Sequence, residues 1–138
     1  MPTTREFSIR LDDQPGALAK ICRPLAVDGV NILAFQSFPL EGKSQVRIVT
    51  DNPTATKSFL DKQKIEYSET QVAQVKLPHR PGELARVASK LGEANININN
   101  AYCGIEPRTN EPLMIFGVAD AGRAAKILDE AAATSAKA

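Results

Sequence analysis

Residues 13–21 read DQPGALAKI and run on to GVNI at residues 29–32. The same pattern returns as HRPGELARV at residues 79–87, followed by NINI at residues 95–98. The two copies lie 66 positions apart throughout, so they align without a gap. Because a solenoid needs three or more repeats, two copies of so short a unit predict a tandem pair of small domains.

The length of the chain agrees with this division. Its 138 residues could form one ordinary domain or two small ones. The repeat favours two, and we expect one domain at residues 1–69 and the other at residues 70–138. Units of this size bury only about 60% of the surface of their unfolded chains and are marginal alone. We therefore expect the two units to share an interface.

Each copy of the repeat predicts a turn, a helix and the start of a strand. Proline at the first helical position costs no hydrogen bond, and the glycine beside it leaves the N–H groups of the first turn open. One helical face is apolar in each copy, with residues spaced i, i+3, i+4 and i+7. These residues are Leu18, Ile21, Cys22 and Leu25 in the first copy and Leu84, Val87, Ala88 and Leu91 in the second. Gly29 and Asn95 are expected to end the helices in left-handed conformation, and Pro24 to kink the first one.

The remaining segments predict strands and two further helices. Alternating apolar residues, turn residues and helix starts divide the chain between the motifs. Strands are expected at residues 7–11, 30–38, 44–51, 64–68, 73–77, 96–103 and 113–120. Turns are expected at residues 39–43 and 104–110, and helices at residues 53–63 and 121–133. Asp51 and Asp120 suit the starts of these helices.

The duplicated pattern x-x-P-G-x-L-A-x-[IV]-x-x-x-L, followed by [GN]-[VI]-N-I, resembles the ACT domain. Written twice, it resembles a stand-alone tandem ACT protein. The resemblance implies an α+β fold with two ferredoxin-like βαββαβ units in tandem, antiparallel sheets and helices on one face. It also implies a non-catalytic, allosteric regulatory protein that binds a free amino acid, with a regulated metabolic enzyme as a further partner.

The sequence predicts that the second unit lacks its own final strand. In the first unit residues 64–68 supply that strand, whereas only TSAKA at residues 134–138, which we expect to fray, follows the last predicted helix. One edge of the second sheet is then open, or residues 64–77 serve both units, or another chain covers the edge. Because proteins usually hide such an edge, we expect a homodimer.

The turn before each motif helix is the candidate binding site. The N–H groups and dipole of a helix N-terminus suit the carboxylate of an amino acid, whereas the ammonium group needs oxygen acceptors. The resemblance assigns effector contacts to the residue two before the proline, often Asn in the family, and to the Asn opening the second strand. The candidates are Asp13, Gln14, Gly16, Ala17, Leu18 and Asn31 in the first copy, and His79, Arg80, Gly82, Glu83, Leu84 and Asn97 in the second.

We expect an amino acid to bind at the interface between the two ACT-like units. Asn97 would complete the site at Asp13, and Asn31 the site at His79. Because Glu83 would repel a nearby carboxylate, the site at Gly16 is the preferred one. A rival interpretation is a ligand-free interaction or oligomerisation module, in which the Pro-Gly pairs serve only as turns.

Composition and motifs argue against other classes of function. The net charge is +1 and each half is balanced, so we expect no nucleic-acid surface. No membrane-spanning run and no signal peptide are expected, which predicts a cytoplasmic protein. His79 is the single histidine, and Cys22 and Cys103 lack metal-ligand spacing. Without a catalytic motif we expect no enzyme, no cofactor and no metal, unless a cleft hides an arrangement that the sequence does not reveal.

Overall fold

The computed structural model describes residues 3–137, and these residues form an α+β fold with antiparallel strand pairs. Six strands and four helices lie within the described residues. In chain order they are β1 (Thr3–Asp12), α1 (Ala17–Val27), β2 (Ile32–Leu40), β3 (Lys43–Thr50), α2 (Pro53–Lys62), β4 (Tyr67–Lys76), α3 (Glu83–Glu93), β5 (Asn100–Glu106), β6 (Glu111–Gly117) and α4 (Ala121–Lys137).

The chain divides into two compact units. Arg5–Thr70 is called the first unit, and residues 71–137 together with residues 3–4 are called the second unit. The predicted domains at residues 1–69 and 70–138 stay a prediction.

In the first unit, β3 pairs with both β1 and β2 in antiparallel fashion. Ile48 lies opposite Phe7 on one side and Phe35 on the other. One face of this sheet packs against α1 and α2, and together they form an apolar core. Its buried members are Phe7, Ile9, Ile21, Leu25, Val30, Val46, Ile48, Phe59 and Leu60.

In the second unit, β6 pairs with both β4 and β5, again antiparallel. Phe116 lies opposite Ala73 on β4 and Ala101 on β5. Helices α3 and α4 contribute to a separate apolar core. Its buried members are Ala73, Val75, Leu77, Val87, Leu91, Ile96, Phe116, Val118, Ala121, Ala124, Leu128 and Ala131.

The strands predicted at residues 64–68 and 73–77 are wrong as two elements, because they form the single strand β4. Residues 67–70 of β4 belong to the first unit, and directly before them the Glu66 carbonyl oxygen accepts a hydrogen bond from the Arg10 N–H at 3.1 Å. Arg5 Nη1 also lies 3.1 Å from Glu69 Oε1. The rest of the strand pairs with β6. β4 therefore supplies the predicted final strand of the first unit and the predicted first strand of the second, and what covers the open edge of the second sheet stays a prediction.

The two hairpins are tighter than expected. The first hairpin turns at Glu41 and Gly42, which have φ of 51° and 78°, so β2 extends to Leu40. At its other end, β2 begins at Ile32 instead of residue 30. The second strand of the other copy begins at Asn100 rather than residue 96, and it continues to Glu106 through part of the predicted 104–110 loop. A turn closes here because Glu106 Oε2 accepts a hydrogen bond from the Thr109 N–H at 2.9 Å. β6 then ends at Gly117 instead of residue 120.

The helix boundaries contain two further corrections. Asn52, not Asp51, caps α2, since Asn52 Oδ1 accepts from the Ala55 N–H at 3.0 Å. Asp120 does cap α4, where its Oδ1 accepts from the Arg123 N–H at 3.0 Å. α4 runs to Lys137, four residues beyond the predicted end at residue 133, and the fraying expected at residues 134–138, of which residue 138 lies outside the described residues, stays a prediction. α2 ends at Lys62, one residue before the predicted end.

Candidate functional site

The Pro-Gly turn lies before each motif helix instead of inside its first turn. α1 begins at Ala17 and α3 at Glu83, each directly after a glycine in left-handed conformation. Gly16 has φ 86° and Gly82 has φ 89°. Prolines 15 and 81 are therefore turn residues, which corrects their expected place at the first helical position.

The two turns have the same hydrogen bonds at equivalent positions. Before α1 the Gln14 N–H donates to the Asp12 carbonyl at 3.0 Å, and before α3 the Arg80 N–H donates to the Pro78 carbonyl at 3.1 Å. No side chain caps either helix. The first N–H groups of a helix have no partner inside it, so the two turns present donors beside the positive end of a helix dipole.

Not all of the expected donors are equally free. The Ala17 N–H donates to the Gln14 carbonyl at 3.2 Å, and Ala17 itself is buried. Gly16 and Leu18 are then the candidate backbone donors of the first turn. The side chains of Asp13 and Gln14 are exposed beside them, as are those of His79 and Arg80 before α3.

The two motif asparagines differ in their surroundings. Asn31 directly precedes β2, and its N–H donates to Asp51 Oδ1 at 2.9 Å while its carbonyl accepts from the Asp51 N–H at 3.0 Å. Asn97 is three residues from the start of β5, and its Nδ2 donates to Asn99 Oδ1 at 3.1 Å. Neither lies within a strand, and both side chains are exposed.

Leu84 does not lie on the buried face of α3 as predicted, and its neighbour Glu83 is buried. Leu84 is 51% exposed, whereas Glu83 is 8% exposed. Glu83 Oε2 accepts from Arg80 Nε at 2.8 Å and its Oε1 accepts from Arg86 Nη2 at 2.9 Å. Arg86 Nη1 also donates to the Ala131 carbonyl at 2.6 Å. The negative charge expected to repel a ligand is therefore paired with two guanidinium groups, and the first turn of α3 holds a carboxylate of its own.

An apolar cavity of about 160 Å³ lies beside the first motif helix. Its lining residues are Leu18, Cys22, Ile32, Phe35 and Ile48. Leu18 thus belongs to the turn site through its N–H group and to the cavity through its side chain. Burial raises the pKa of the Cys22 thiol, which supports an apolar environment there. The sequence analysis missed this cavity as a site, because three of its residues come from β2 and β3.

Asp12, which precedes the first turn, forms an ion pair with Lys43. Lys43 Nζ donates to Asp12 Oδ1 at 2.9 Å. This hydrogen bond, with the charge of Lys43, lowers the pKa of Asp12 below its ordinary value. Asp13, the neighbouring residue and a predicted ligand contact, is exposed.

Two further observations concern other kinds of site. Within residues 3–137, no group of three His, Cys, Asp or Glu side chains is placed to hold a metal ion. None of the helices in this part of the chain combines the length and the apolar character needed to cross a membrane.

Replacing Gly82 by alanine is expected to lower the free energy of unfolding by about 1–2 kcal/mol, the cost of a left-handed L-residue. Space does not limit this change, because a Cβ at Gly82 meets no atom within 4 Å. Gly92 in α3 is the matched control: its added Cβ is equally free, and alanine there gains up to about 1 kcal/mol of helix propensity. Denaturant unfolding measures both, and a loss of the same size at Gly92 would contradict the backbone explanation.

The second copy of the repeat lies in a segment that matches a known protein family. Residues 72–135 match the family model of the ACT domain, which is somewhat less than half of the chain. No match was found among curated protein sequences.

Solved structures resemble the whole chain at low identity, which shows a shared fold. Protein BT0572 from Bacteroides thetaiotaomicron is 20% identical, with a TM-score of 0.80 over 93% of this chain and 88% of that one. The ligand-free regulatory subunit of aspartate kinase from Thermus thermophilus is 17% identical, with a TM-score of 0.64 over 94% of this chain and 92% of that one. The aspartokinase alpha and beta subunits are 13% identical, with a TM-score of 0.61 over 95% of this chain and 97% of the other.

Proposed function

We propose that the chain is a tandem pair of ACT-like βαββαβ units, the second without its own final strand, and that it binds a free amino acid. Binding takes place at the turns before α1 and α3, and the protein regulates without catalysing a reaction. The observation that carries the proposal is the repetition of one turn geometry, with glycine in left-handed conformation and uncapped N–H donors, at two equivalent helix starts.

An amino acid suits such a turn because its two charges have different requirements. The carboxylate is favoured by the N–H groups of Gly16 and Leu18 and by the helix dipole. Asp13, exposed beside them, supplies a negative charge for the ammonium group. The earlier expectation that the Asn of one copy completes the site of the other, at the interface between the units, stays a prediction.

The cavity next to Leu18 supports a preference for apolar side chains at the first site. Its five lining residues are apolar or, in Cys22, weakly polar, and burial of a hydrocarbon side chain there is favourable. A charged side chain would lose its hydration without gaining a partner. Aliphatic or aromatic amino acids should therefore bind better than aspartate or lysine.

The site at Gly16 is favoured over the site at Gly82 because the first turn of α3 already contains a carboxylate, and not because that carboxylate is unpaired. Glu83 occupies the first turn of α3 with a carboxylate that Arg80 and Arg86 already hold. A ligand carboxylate at Gly82 would compete with it for the positive end of the helix, whereas α1 has no acidic residue in its first turn.

The partners follow from the same proposal. The regulatory subunit of aspartate kinase shares the fold, so we propose a metabolic enzyme as the protein whose activity this chain regulates. We also propose that the chain acts as a homodimer in the cytoplasm. The motive for this homodimer is the open edge predicted for the second sheet, which lacks its own final strand.

A thermal-shift panel of the natural amino acids tests the function. An amino acid present at a hundredfold excess over its Kd adds about 2.7 kcal/mol to the stability of the native state. For a domain of this size we expect the melting temperature to rise by roughly 8 °C. The rival module without a ligand predicts no shift with any amino acid, and that result would reject the proposal.

A further inference from the structure

The first unit has an open groove of about 1000 Å³ between α1 and α2. Its apolar lining includes Ile21, Pro24, Val27 and Phe59. The residues of the turn before α1 do not line it, so the groove is separate from the proposed amino-acid site. A largely apolar groove between two helices is a candidate docking surface for another protein segment.

Val27 is an exposed apolar residue on the wall of the groove. Its side chain is 87% exposed, although it is the last residue of α1 and lies on the wall of the groove. A single exposed aliphatic residue needs no explanation. Val27, however, continues the apolar lining formed by Pro24 and Ile21, one and two helical turns earlier, so this lining reaches the surface at Val27.

In the second unit, two arginine side chains form hydrogen bonds that join α3 to α4. Arg86 on α3 donates to the Ala131 carbonyl of α4 at 2.6 Å. Arg123 on α4 donates to the Ala94 carbonyl at the end of α3, also at 2.6 Å. In the first unit the position equivalent to Arg86 is Lys20, which lines the groove instead. Lys20 therefore lies in the groove at the position where Arg86 joins α3 to α4 in the second unit.

Charges are distributed unequally along the groove. Lys20 lies in the first turn of α1 and Lys62 ends α2, while Asp28 follows the last residue of α1. The end of α2 lies near the start of α1, because the chain after α2 bonds to β1 through Glu66 and Arg10, and β1 leads into α1. Both lysines are thus at one end and Asp28 is at the other, about 12 Å away along the axis of α1.

We propose that a second copy of this chain occupies the groove, with the two copies related by a two-fold axis perpendicular to it. The rotation exchanges the ends, so Asp28 of each copy meets Lys20 and Lys62 of the other. It also inserts each exposed Val27 into the apolar lining of the opposite groove. Such a self-complementary surface is what a two-fold dimer requires. The inference rests on the homodimer proposed above and does not depend on amino-acid binding.

The contribution of the apolar contact is tested by Val27→Glu in sedimentation equilibrium from low micromolar to submillimolar concentration. Because the substitution acts twice in a two-fold dimer, we expect the Kd of dimerisation to rise at least about tenfold. Ile105→Glu is the control, since Ile105 is 58% exposed on β5 in the second unit. A monomeric wild type would overturn the homodimer itself. A dimer unaffected by Val27→Glu would keep the homodimer and overturn this surface.

A charge exchange tests the orientation of the two copies. Asp28→Lys alone, or Lys20→Glu with Lys62→Glu, places like charges at both ends and should weaken self-association about tenfold. A mixture of the two variants restores opposite charges at both ends of a mixed dimer, and its Kd should return to that of the wild type. A mixture that associates no better than either variant alone would overturn the proposal, and circular dichroism establishes that each variant is folded.

Discussion

Leu91→Ala is expected to lower the free energy of unfolding by about 2–5 kcal/mol, through lost burial and the cavity left behind. Leu91 is 0% exposed and belongs to the apolar core of the second unit. Since native proteins are stable by only about 5–15 kcal/mol, this change removes a large part of the total. Denaturant unfolding followed by circular dichroism measures the loss.

Leu84 provides the control for this prediction on the same helix. It is 51% exposed, so Leu84→Ala removes little buried surface and should change stability by less than about 1 kcal/mol. A sequence-based view in which Leu84 and Leu91 share one buried stripe expects comparable losses. Equal effects of the two substitutions would therefore contradict the orientation of α3 described above.

Glu83→Gln is expected to cost about 1.5–3 kcal/mol, because hydrogen bonds to a charged group are lost inside the protein. The Glu83 side chain is 10% exposed and lies between Arg80 and Arg86. Glutamine keeps the shape but removes the charge. Its amide N–H₂ group would face guanidinium groups, which are also donors, so no hydrogen bond can form there.

Glu93→Gln is the matched control for Glu83→Gln. Glu93 is on the same helix, its side chain is 68% exposed, and its distance to Lys90 Nζ is 3.7 Å. An exposed pair of this kind contributes at most about 1 kcal/mol, so the change should be small. If both variants unfold at the same denaturant concentration, the buried ion pair does not stabilise the second unit.

The sequence predicts well those features that depend on a few neighbouring residues. Gly29 and Asn95 end their helices with φ of 74° and 60°, as the composition of the two copies indicates. The N–H groups that follow repeat as well: Val30 donates to the Leu25 carbonyl and Ile96 to the Leu91 carbonyl. Such local geometry is encoded by residues that tolerate left-handed conformation.

Features that depend on distant partners could not be predicted. The single strand β4 was divided in two because polar residues at its centre interrupt the apolar alternation, while its hydrogen-bond partners lie elsewhere in the chain. The burial of Glu83 was not predicted, because charged residues rarely lie inside proteins. The spacing of Arg80 and Arg86, three residues before and after it, was a usable signal for a buried carboxylate.

The candidate site was predictable only in part. The repeated turn follows from the sequence, and the structure places Asp13, Gln14, Gly16 and Leu18 together at the start of α1. The cavity beside Leu18 also needs Phe35, which comes from the strand after the helix, and the pattern of the motif contains no information about its position.

Calorimetric titration with the amino acid that stabilises the protein most is the direct test of binding at the repeated turns. Asn97→Ala should leave the fold nearly intact, since its exposed side chain makes one hydrogen bond to Asn99. We predict that it weakens binding by about 1–3 kcal/mol, whereas Asn99→Ala, which removes the same hydrogen bond, leaves the affinity unchanged. Unchanged affinity of Asn97→Ala, with binding lost instead through Cys103→Ala or changes at residues 104–110, would contradict this account.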